Sequence, residues 1–249
     1  MKAALSQPWL ALRNSRPFKG LPDRLLDSIL QSGTVRQCFS GELLTGQGEM
    51  PEHMFLVLDG QLRTFMTSQD GSEVTLRMLD PGDSCMGVAL FMGKLSPVSV
   101  DAVGNARILQ LPTRFVKQLV VQEPVFADNM LRIAAANYRG AIEQIDAVAL
   151  RTPFQRIGHY LLTEFISTGS EELTFELRFK KSLIASHLGM APETLSRAFQ
   201  KMRQSGITVD GSTITLKDAF ALCHFCDLGT RESCRNRDSE TCSRCRIQS

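Results

Sequence analysis

The sequence predicts an α+β protein: a small antiparallel β-barrel or roll, then one long helix, then a C-terminal winged helix-turn-helix. Three observations carry this. Short apolar runs bounded by glycine turns recur about every ten residues between Val35 and Pro112. An unbroken helical pattern opens at Pro124. Residues 180–216 hold two helical patterns joined at a glycine and followed by a hairpin pattern.

The 249 residues allow one large domain or two small ones, each with its own core. With 43% hydrophobic and 22% charged residues the chain is neither disordered nor fibrous. A formal charge of +2 is too small to mark a nucleic-acid binder, so any basic surface must be local. The opening MKAALSQPWLALRNSRPF has no continuous apolar segment and no small-residue cleavage site. No apolar run elsewhere nears the roughly 20 residues that span a bilayer. The expected compartment is the cytoplasm, where thiols stay reduced. Only four histidines, and no H-E-x-x-H, G-x-S-x-G or phosphate loop, argue against an enzyme.

In chain order, Leu21, Leu25, Ile29 and Leu30 stand near helical spacing and predict a short amphipathic helix over 21–32. The runs MFLVL (54–58) and EVTLRML (73–79) are bounded by Asp59-Gly60, Asp70-Gly71 and Pro81-Gly82. Asp-Gly between apolar segments signals a hairpin, because type I′ turns need positive φ. In the second run Val74, Leu76 and Met78 alternate with Thr75 and Arg77, the pattern of a half-buried strand. From Pro124 to Leu150, Phe126, Met130, Ile133, Asn137, Ile142, Ile145 and Val148 fall mostly three or four apart. So narrow an apolar seam on so long a helix predicts a partner helix, and the small residues Ala134, Ala135, Ala136, Gly140 and Ala141 would let it approach. Packing along its own barrel is the competing reading. A further helix over about Pro153–Ser167 begins the next domain. The expected division is 1–122 for the roll, 123–150 for the dimerisation helix, 151–222 for the winged helix-turn-helix and 223–249 for a cysteine-rich tail.

Within 180–216, Ile184, Ala185 and Leu188 form the inner face of a first helix, and Gly189 permits a sharp turn with Met190 beneath it. Leu195 and Ala198 form the inner face of a second helix that starts after Pro192. Ile207–Val209, Asp210-Gly211 and Thr213–Leu216 read as a hairpin wing. The outward face of the second helix carries Glu193, Thr194, Ser196, Arg197, Gln200 and Lys201. Arginine can fork onto guanine O6 and N7, glutamate can accept from a cytosine amino group, and serine can meet a base edge. Lys201 and Arg203 lie where a phosphate backbone could run. A solvated helix hairpin would show similar charges; the joint pattern of Ala185, Gly189, the apolar positions and the wing favours binding to double-stranded DNA.

These motifs resemble the CRP/FNR family, that of the cyclic AMP receptor protein and FNR, from about residue 21 to 222. The stretch from Gly46 to Gly87 resembles the family's β-roll, with Gly46, Gly60, Gly71 and Gly82 at the turns. ETLSR (193–197) resembles the reading helix of the FNR branch, where the corresponding Glu, Ser and Arg contact a TTGAT half-site. Where the cyclic AMP receptor has an additional arginine before that glutamate, this chain has Pro192. The resemblance implies a cyclic-nucleotide-binding-like roll, a homodimer on palindromic TTGAT-like half-sites, and RNA polymerase as a further partner.

In the family's nucleotide binders the phosphate rests on a short helix with Gly-Glu followed by Arg-Ala or Arg-Ser. The matching stretch CMGVALFMGKLSPVSV keeps Gly87 but has Val88 for the glutamate and Pro97-Val98 in the arginine's place. A buried nucleotide would lose its charge partner and its sugar contact, so cyclic AMP is not the expected effector. The apolar Val88, Leu90, Phe91, Met92 and Val98 would suit haem or another apolar ligand, as in nitric-oxide-sensing relatives, or a collapsed core, which is the favoured reading. His53 and His159 have the chemistry of axial ligands, and neither is assigned that role. The N-terminal cysteine group that ligates iron–sulfur in FNR is missing, and Cys38 and Cys85 read as buried apolar residues.

Five of the seven cysteines lie in the tail: Cys223, Cys226, Cys234, Cys242 and Cys245. They include two C-x2-C pairs 15 residues apart, within the range of a four-thiolate zinc site. The intervening segment is polar and has no core of its own, so a metal would be its organiser. The same thiolates could hold an iron–sulfur cluster, the option the family's sensing habit favours, which would make the tail an oxygen or redox sensor. Disulfides or a loose thiol tail are the competing reading. Arg246, not histidine, follows Cys245, which speaks against covalently attached haem.

Overall fold

A computed structural model describes residues 7–168, 172–218 and 220–225. The chain divides into two compact units, with the boundary between Ile142 and Glu143. The first unit opens with helix α1 (Gln7–Asn14), a 3-10 turn (Arg16–Phe18) and α2 (Asp23–Ser32). Eight strands follow: β1 (Thr34–Cys38), β2 (Leu43–Thr45), β3 (His53–Asp59), β4 (Leu62–Thr67), β5 (Glu73–Leu79), β6 (Ser84–Cys85), β7 (Ser99–Ala102) and β8 (Ala106–Pro112). They form two antiparallel sheets, in the orders β1-β8-β3-β6 and β2-β7-β4-β5. This is the predicted roll.

β3 is buried along nearly its whole length because both of its faces are covered. Met54, Leu56 and Leu58 point into a core shared with the helices, while Phe55 and Val57 point into the core between the two sheets. β8 divides in the same way, Leu109 and Leu111 to the helices and Ala106 and Ile108 to the other sheet. A strand covered on both sides loses the polar–apolar alternation of a solvent-facing one, which is why MFLVL is continuous. The opening residues contribute more than their sequence indicated: Trp9, Leu12 and Phe18 are buried in the helix-side core.

Two sequence expectations are corrected. Of the three turn signals in the roll, only Asp70-Gly71 closes a hairpin, between β4 and β5. Asp59-Gly60 and Pro81-Gly82 carry the chain from one sheet to the other. Gly60 is in the left-handed region at φ 74°, and a Cβ there would lie 2.4 Å from the Asn105 carbonyl oxygen, so this glycine serves a close crossing of two chain segments. In β5 the expected inward face is inverted at the start: Val74 is 42% exposed and Thr75 is fully buried. A register shift opposite Thr64 and Phe65 breaks the alternation, as a bulge does.

Helix α3 (Thr113–Gln122) leads into α4 (Pro124–Leu150), the long helix predicted at these bounds. Its predicted seam splits in two. Phe126 and Met130 are buried in the helix-side core of the roll, and Ile133 packs against that core. Beyond them a different ridge is exposed: Leu131, Ala135, Tyr138, Ile142, Ile145 and Ala149, spaced alternately four and three apart as in a heptad repeat. No helix among the described residues is long and apolar enough to cross a membrane.

The second unit comprises the end of α4, α5 (Pro153–Thr168), strand β9 (Thr174–Glu176), α6 (Lys181–His187), α7 (Pro192–Met202), β10 (Ile207–Asp210) and β11 (Thr213–Leu216). Thr152 and Gln155 start α5 with a capping box: the Thr152 backbone N–H donates to Gln155 Oε1 at 2.9 Å, and the Gln155 N–H donates to Thr152 Oγ1 at 3.3 Å. The wing hairpin gains β9 as a third strand, in the order β10-β11-β9, which the sequence reading did not include.

Phe126 is fully buried and its ring stacks on Phe18 with centroids 5.5 Å apart, joining α4 to the N-terminal turn. Phe126→Ala is expected to cost about 3 to 5 kcal/mol of stability. Urea unfolding of the full chain measures it, and a loss below about 1 kcal/mol would mean this contact does not anchor the helix.

Candidate nucleic-acid interface

The turn between α6 and α7 takes the form the sequence predicted. Gly189 has φ 61°, the left-handed conformation that ends a helix. The Met190 N–H donates to the Ala185 carbonyl at 3.0 Å and the Gly189 N–H to that of Ser186 at 3.1 Å, so the last carbonyls of α6 are satisfied. Ala185 is fully buried, leaving no room for a larger side chain beside α7. Pro192 occupies the first turn of α7, where a missing N–H costs nothing, and Glu193 adds a negative charge at the positive end of the helix dipole.

Two other elements hold the turn. Arg156 of α5 donates through Nη1 to the Leu188 carbonyl at 2.5 Å and to that of Gly189 at 3.3 Å. Gln144 of α4 donates to the His187 carbonyl at 3.3 Å. A guanidinium at a helix C-terminus is favoured by both hydrogen bonding and the dipole. Nothing local in the sequence signals this role for Arg156. The inner face of α7 is Leu195, Ala198, Phe199 and Met202, all buried. Phe199 and Met202 extend the spacing begun at Leu195 and were legible from it.

The outer face brings together the residues proposed for base reading. Glu193, Ser196, Arg197, Gln200 and Lys201 are exposed on one side of α7, and Thr194 is half-buried. Among the described residues no side chain or ion pair engages Glu193, Arg197 or Lys201, so their charges are available to a ligand. Arg203 follows, exposed, in a 3-10 turn (Arg203–Ser205). In the wing, Asp210 pairs with Thr213 across a two-residue loop whose only positive φ is at Gly211, the sign pattern of a type II′ turn.

The fold and this face have counterparts. Residues 29–123 match the family model of the Cyclic nucleotide-binding domain, and residues 155–225 match that of the Crp-like helix-turn-helix domain. The chain belongs to the CRP/FNR family of transcription regulators. As a CRP/FNR regulator it is a DNA-binding protein and not an enzyme. It is 27% identical over 202 residues to the transcriptional activator protein FnrA of Stutzerimonas stutzeri, covering 80% of this chain and 82% of FnrA. It is 26% identical over 212 residues to the cyclic AMP receptor protein of Thermus thermophilus, covering 85% and 96%. The structure of FixK2 from Bradyrhizobium japonicum shares the fold, with a TM-score of 0.69 at 19% identity over 78% of this chain and 98% of that one.

The CRP/FNR nucleotide cassette is filled here by apolar side chains. A Cβ on Gly87 would lie 2.8 Å from Met130 Cε and 3.1 Å from Met54 Sδ. Val88 and Leu90 pack into the helix-side core, Val98 packs against the core between the sheets, and Phe91 and Met92 are about half exposed. These five residues therefore divide between two cores and solvent. Cys38 and Cys85 are buried as expected, and burial pushes the Cys85 thiol up to about 12. Of the tail cysteines only Cys223 lies within the described residues, half-buried in a 3-10 turn (Cys223–Phe225). Phe225 packs on Gly158, where a Cβ would come within 2.3 Å of the ring, and on Phe154 at 5.4 Å between centroids. Cys226, Cys234, Cys242 and Cys245 lie outside the described residues.

Arg156→Met keeps the apolar stem and removes both hydrogen bonds to the turn. The expected cost is about 1 to 3 kcal/mol in the C-terminal unit. Amide exchange should also be faster at Gly189 and Met190, and protection there equal to that of the unmodified chain would show that the turn holds itself.

Proposed function

We propose that this CRP/FNR regulator acts as a homodimer on palindromic DNA with TTGAT-like half-sites, and that it answers to redox state, oxygen or nitric oxide through a metal centre in its cysteine tail. The observation that carries the DNA reading is the face of α7, where Glu193, Ser196 and Arg197 are exposed above a tightly satisfied turn. Thr194, half-buried at the helix start, and Lys201 complete the contact set, with Lys201 on the phosphate backbone. The exposed ridge from Leu131 to Ala149 supports dimerisation, since apolar residues at heptad spacing gain by covering one another. A twofold dimer places two reading helices on two half-sites, which is why a palindrome is expected. RNA polymerase would be the further partner of a DNA-bound regulator.

The metal reading rests on the chemistry of the donor set. Clustered thiols are reactive and costly to ionise together, whereas a cation neutralises them and fixes the loop between them. Four of Cys223, Cys226, Cys234, Cys242 and Cys245 would hold an iron–sulfur cluster or, alternatively, zinc. Cys223 stands beside α5 at the start of the tail, so ordering of the tail would be felt by the unit that carries α7. An iron–sulfur cluster would supply sensitivity to oxygen; zinc would supply structure alone.

Two measurements follow. On a palindromic duplex, Arg197→Ala should cost about 1 to 3 kcal/mol and relax preference at one guanine per half-site. Lys201→Ala should weaken all sequences alike and lower the salt slope by about one. Discrimination unaffected by Arg197→Ala would remove the reading helix from its role, and equal affinity for one half-site and the palindrome would remove the dimer. For the tail, protein purified without oxygen should contain about one metal centre per chain by elemental analysis. Iron–sulfur should be brown and bleach in air with a parallel change in DNA affinity, and zinc should be colourless and air-stable. Absence of both metals, with unchanged regulation after all five cysteines become serine, would overturn the metal reading.

A further inference from the structure

The N-terminal unit contains a cleft of about 220 Å³ where the 3-10 turn at Arg16–Phe18, strand β5 and helix α4 face one another. Gly87, Val88, Pro97 and Val98, the positions of the nucleotide cassette, do not line it. Its walls combine charge with apolar surface: Arg77 and Asp83 from the roll, Arg16 and Lys19 from the N-terminal segment, and Arg132, Ile133 and Ala136 from α4.

Arg77 is the informative residue. It pairs across the strands with buried Thr64, and the next such pair, Leu62 and Leu79, lies in the core between the sheets. Paired residues share a face, so Arg77 occupies an inward-facing position on an edge strand. Burial lowers its guanidinium below the ordinary arginine value, yet an arginine stays charged at any physiological pH. Among the described residues it makes no hydrogen bond or ion pair. The acids nearby are shared: Asp83 lies 3.7 Å from Arg16 and its charge also acts on Arg77, and Asp128 lies 2.7 Å from Arg132. Asp83 lines the cleft, but the walls set four cations, Arg16, Lys19, Arg77 and Arg132, against this one acid. Partly buried cations in excess gain from an anion that reaches them.

We propose that this cleft binds a small organic carboxylate, with its head on Arg77 and Lys19 and its apolar body against Ile133 and Ala136. The dimensions match: a cavity of about 150 Å³ holds benzene, so this one has room for a ring bearing a carboxylate. The site depends on neither the DNA reading nor the metal tail, and it goes beyond both. A ligand there touches the N-terminal turn, the roll and α4 at once, so it would tie the helix to the roll.

The test is isothermal titration of the full chain with sodium benzoate at constant ionic strength. Benzamide serves as the neutral isostere and inorganic phosphate as the anion without an apolar body. Benzoate should bind once per chain, with benzamide and phosphate each about tenfold weaker or more. Arg77→Gln should weaken benzoate about tenfold or more, and Ala136→Leu should block it by filling the apolar wall. Circular dichroism checks that each variant is folded; if Arg77→Gln is not, the exposed double variant Arg16→Gln with Lys19→Gln carries the test, with weaker benzoate binding expected. Absence of benzoate binding, benzamide or phosphate binding as tightly as benzoate, or benzoate affinity indifferent to these substitutions would each overturn the proposal.

Discussion

The two-sided burial of β3 is the constraint on which the N-terminal unit depends. This strand has no face to give to water, because Met54, Leu56 and Leu58 need the helices and Phe55 and Val57 need the other sheet. The helices around the roll are therefore part of its core. Trp9, Leu12 and Phe18 before the roll and Phe126 and Met130 after it close the same apolar layer. Burial of large side chains at roughly 1.5 to 3 kcal/mol each makes this layer the principal source of stability that the unit can draw on.

That layer also settles what the long helix has left to offer. The first turns of α4 turn their apolar residues toward the roll, so the seam that runs through Phe126, Met130 and Ile133 is already occupied. The ridge from Leu131 to Ala149 lies on another face, with Leu131, Tyr138 and Ile145 about 70% exposed. One helix thus has an inward face that holds the roll and an outward face of heptad spacing. The filled cassette has the same origin: Met54 and Met130 approach Gly87 so closely that a larger residue there would have to displace their side-chain ends. The cleft at Arg77 opens on the same helix but at a different place, where polar side chains interrupt the apolar layer.

The reading unit obeys a local rule instead. Its turn is built from two backbone hydrogen bonds and one left-handed glycine, and side chains from α4 and α5 satisfy the carbonyls that remain. The inner residues of α7 are buried, which fixes the rotation of the helix and places Glu193, Ser196 and Arg197 outside together. Rigidity here matters because base contacts depend on hydrogen-bond geometry, whereas phosphate contacts tolerate more.

Much of this was written in local sequence. The bounds of α4, the left-handed Gly189, the inner residues Ala185 and Leu195 and the outer face of α7 follow from helical periodicity and from the steric needs of one turn. Those features are set by residues within a few positions of each other. Other features depend on segments far apart in the chain, and these the tertiary structure decided. Asp59-Gly60 looks like a hairpin, yet the chain changes sheet there because β3 pairs with β8. Val74 looks buried, yet a bulge between β4 and β5 turns it outward. The apolar run from Val88 to Val98 looks like one pocket wall, yet its residues divide between two cores and solvent. Arg156 and Arg77 are ordinary arginines in sequence and take their roles only from what lies across from them. Periodicity records which side of an element is apolar; which neighbour covers that side is decided when the whole chain has packed.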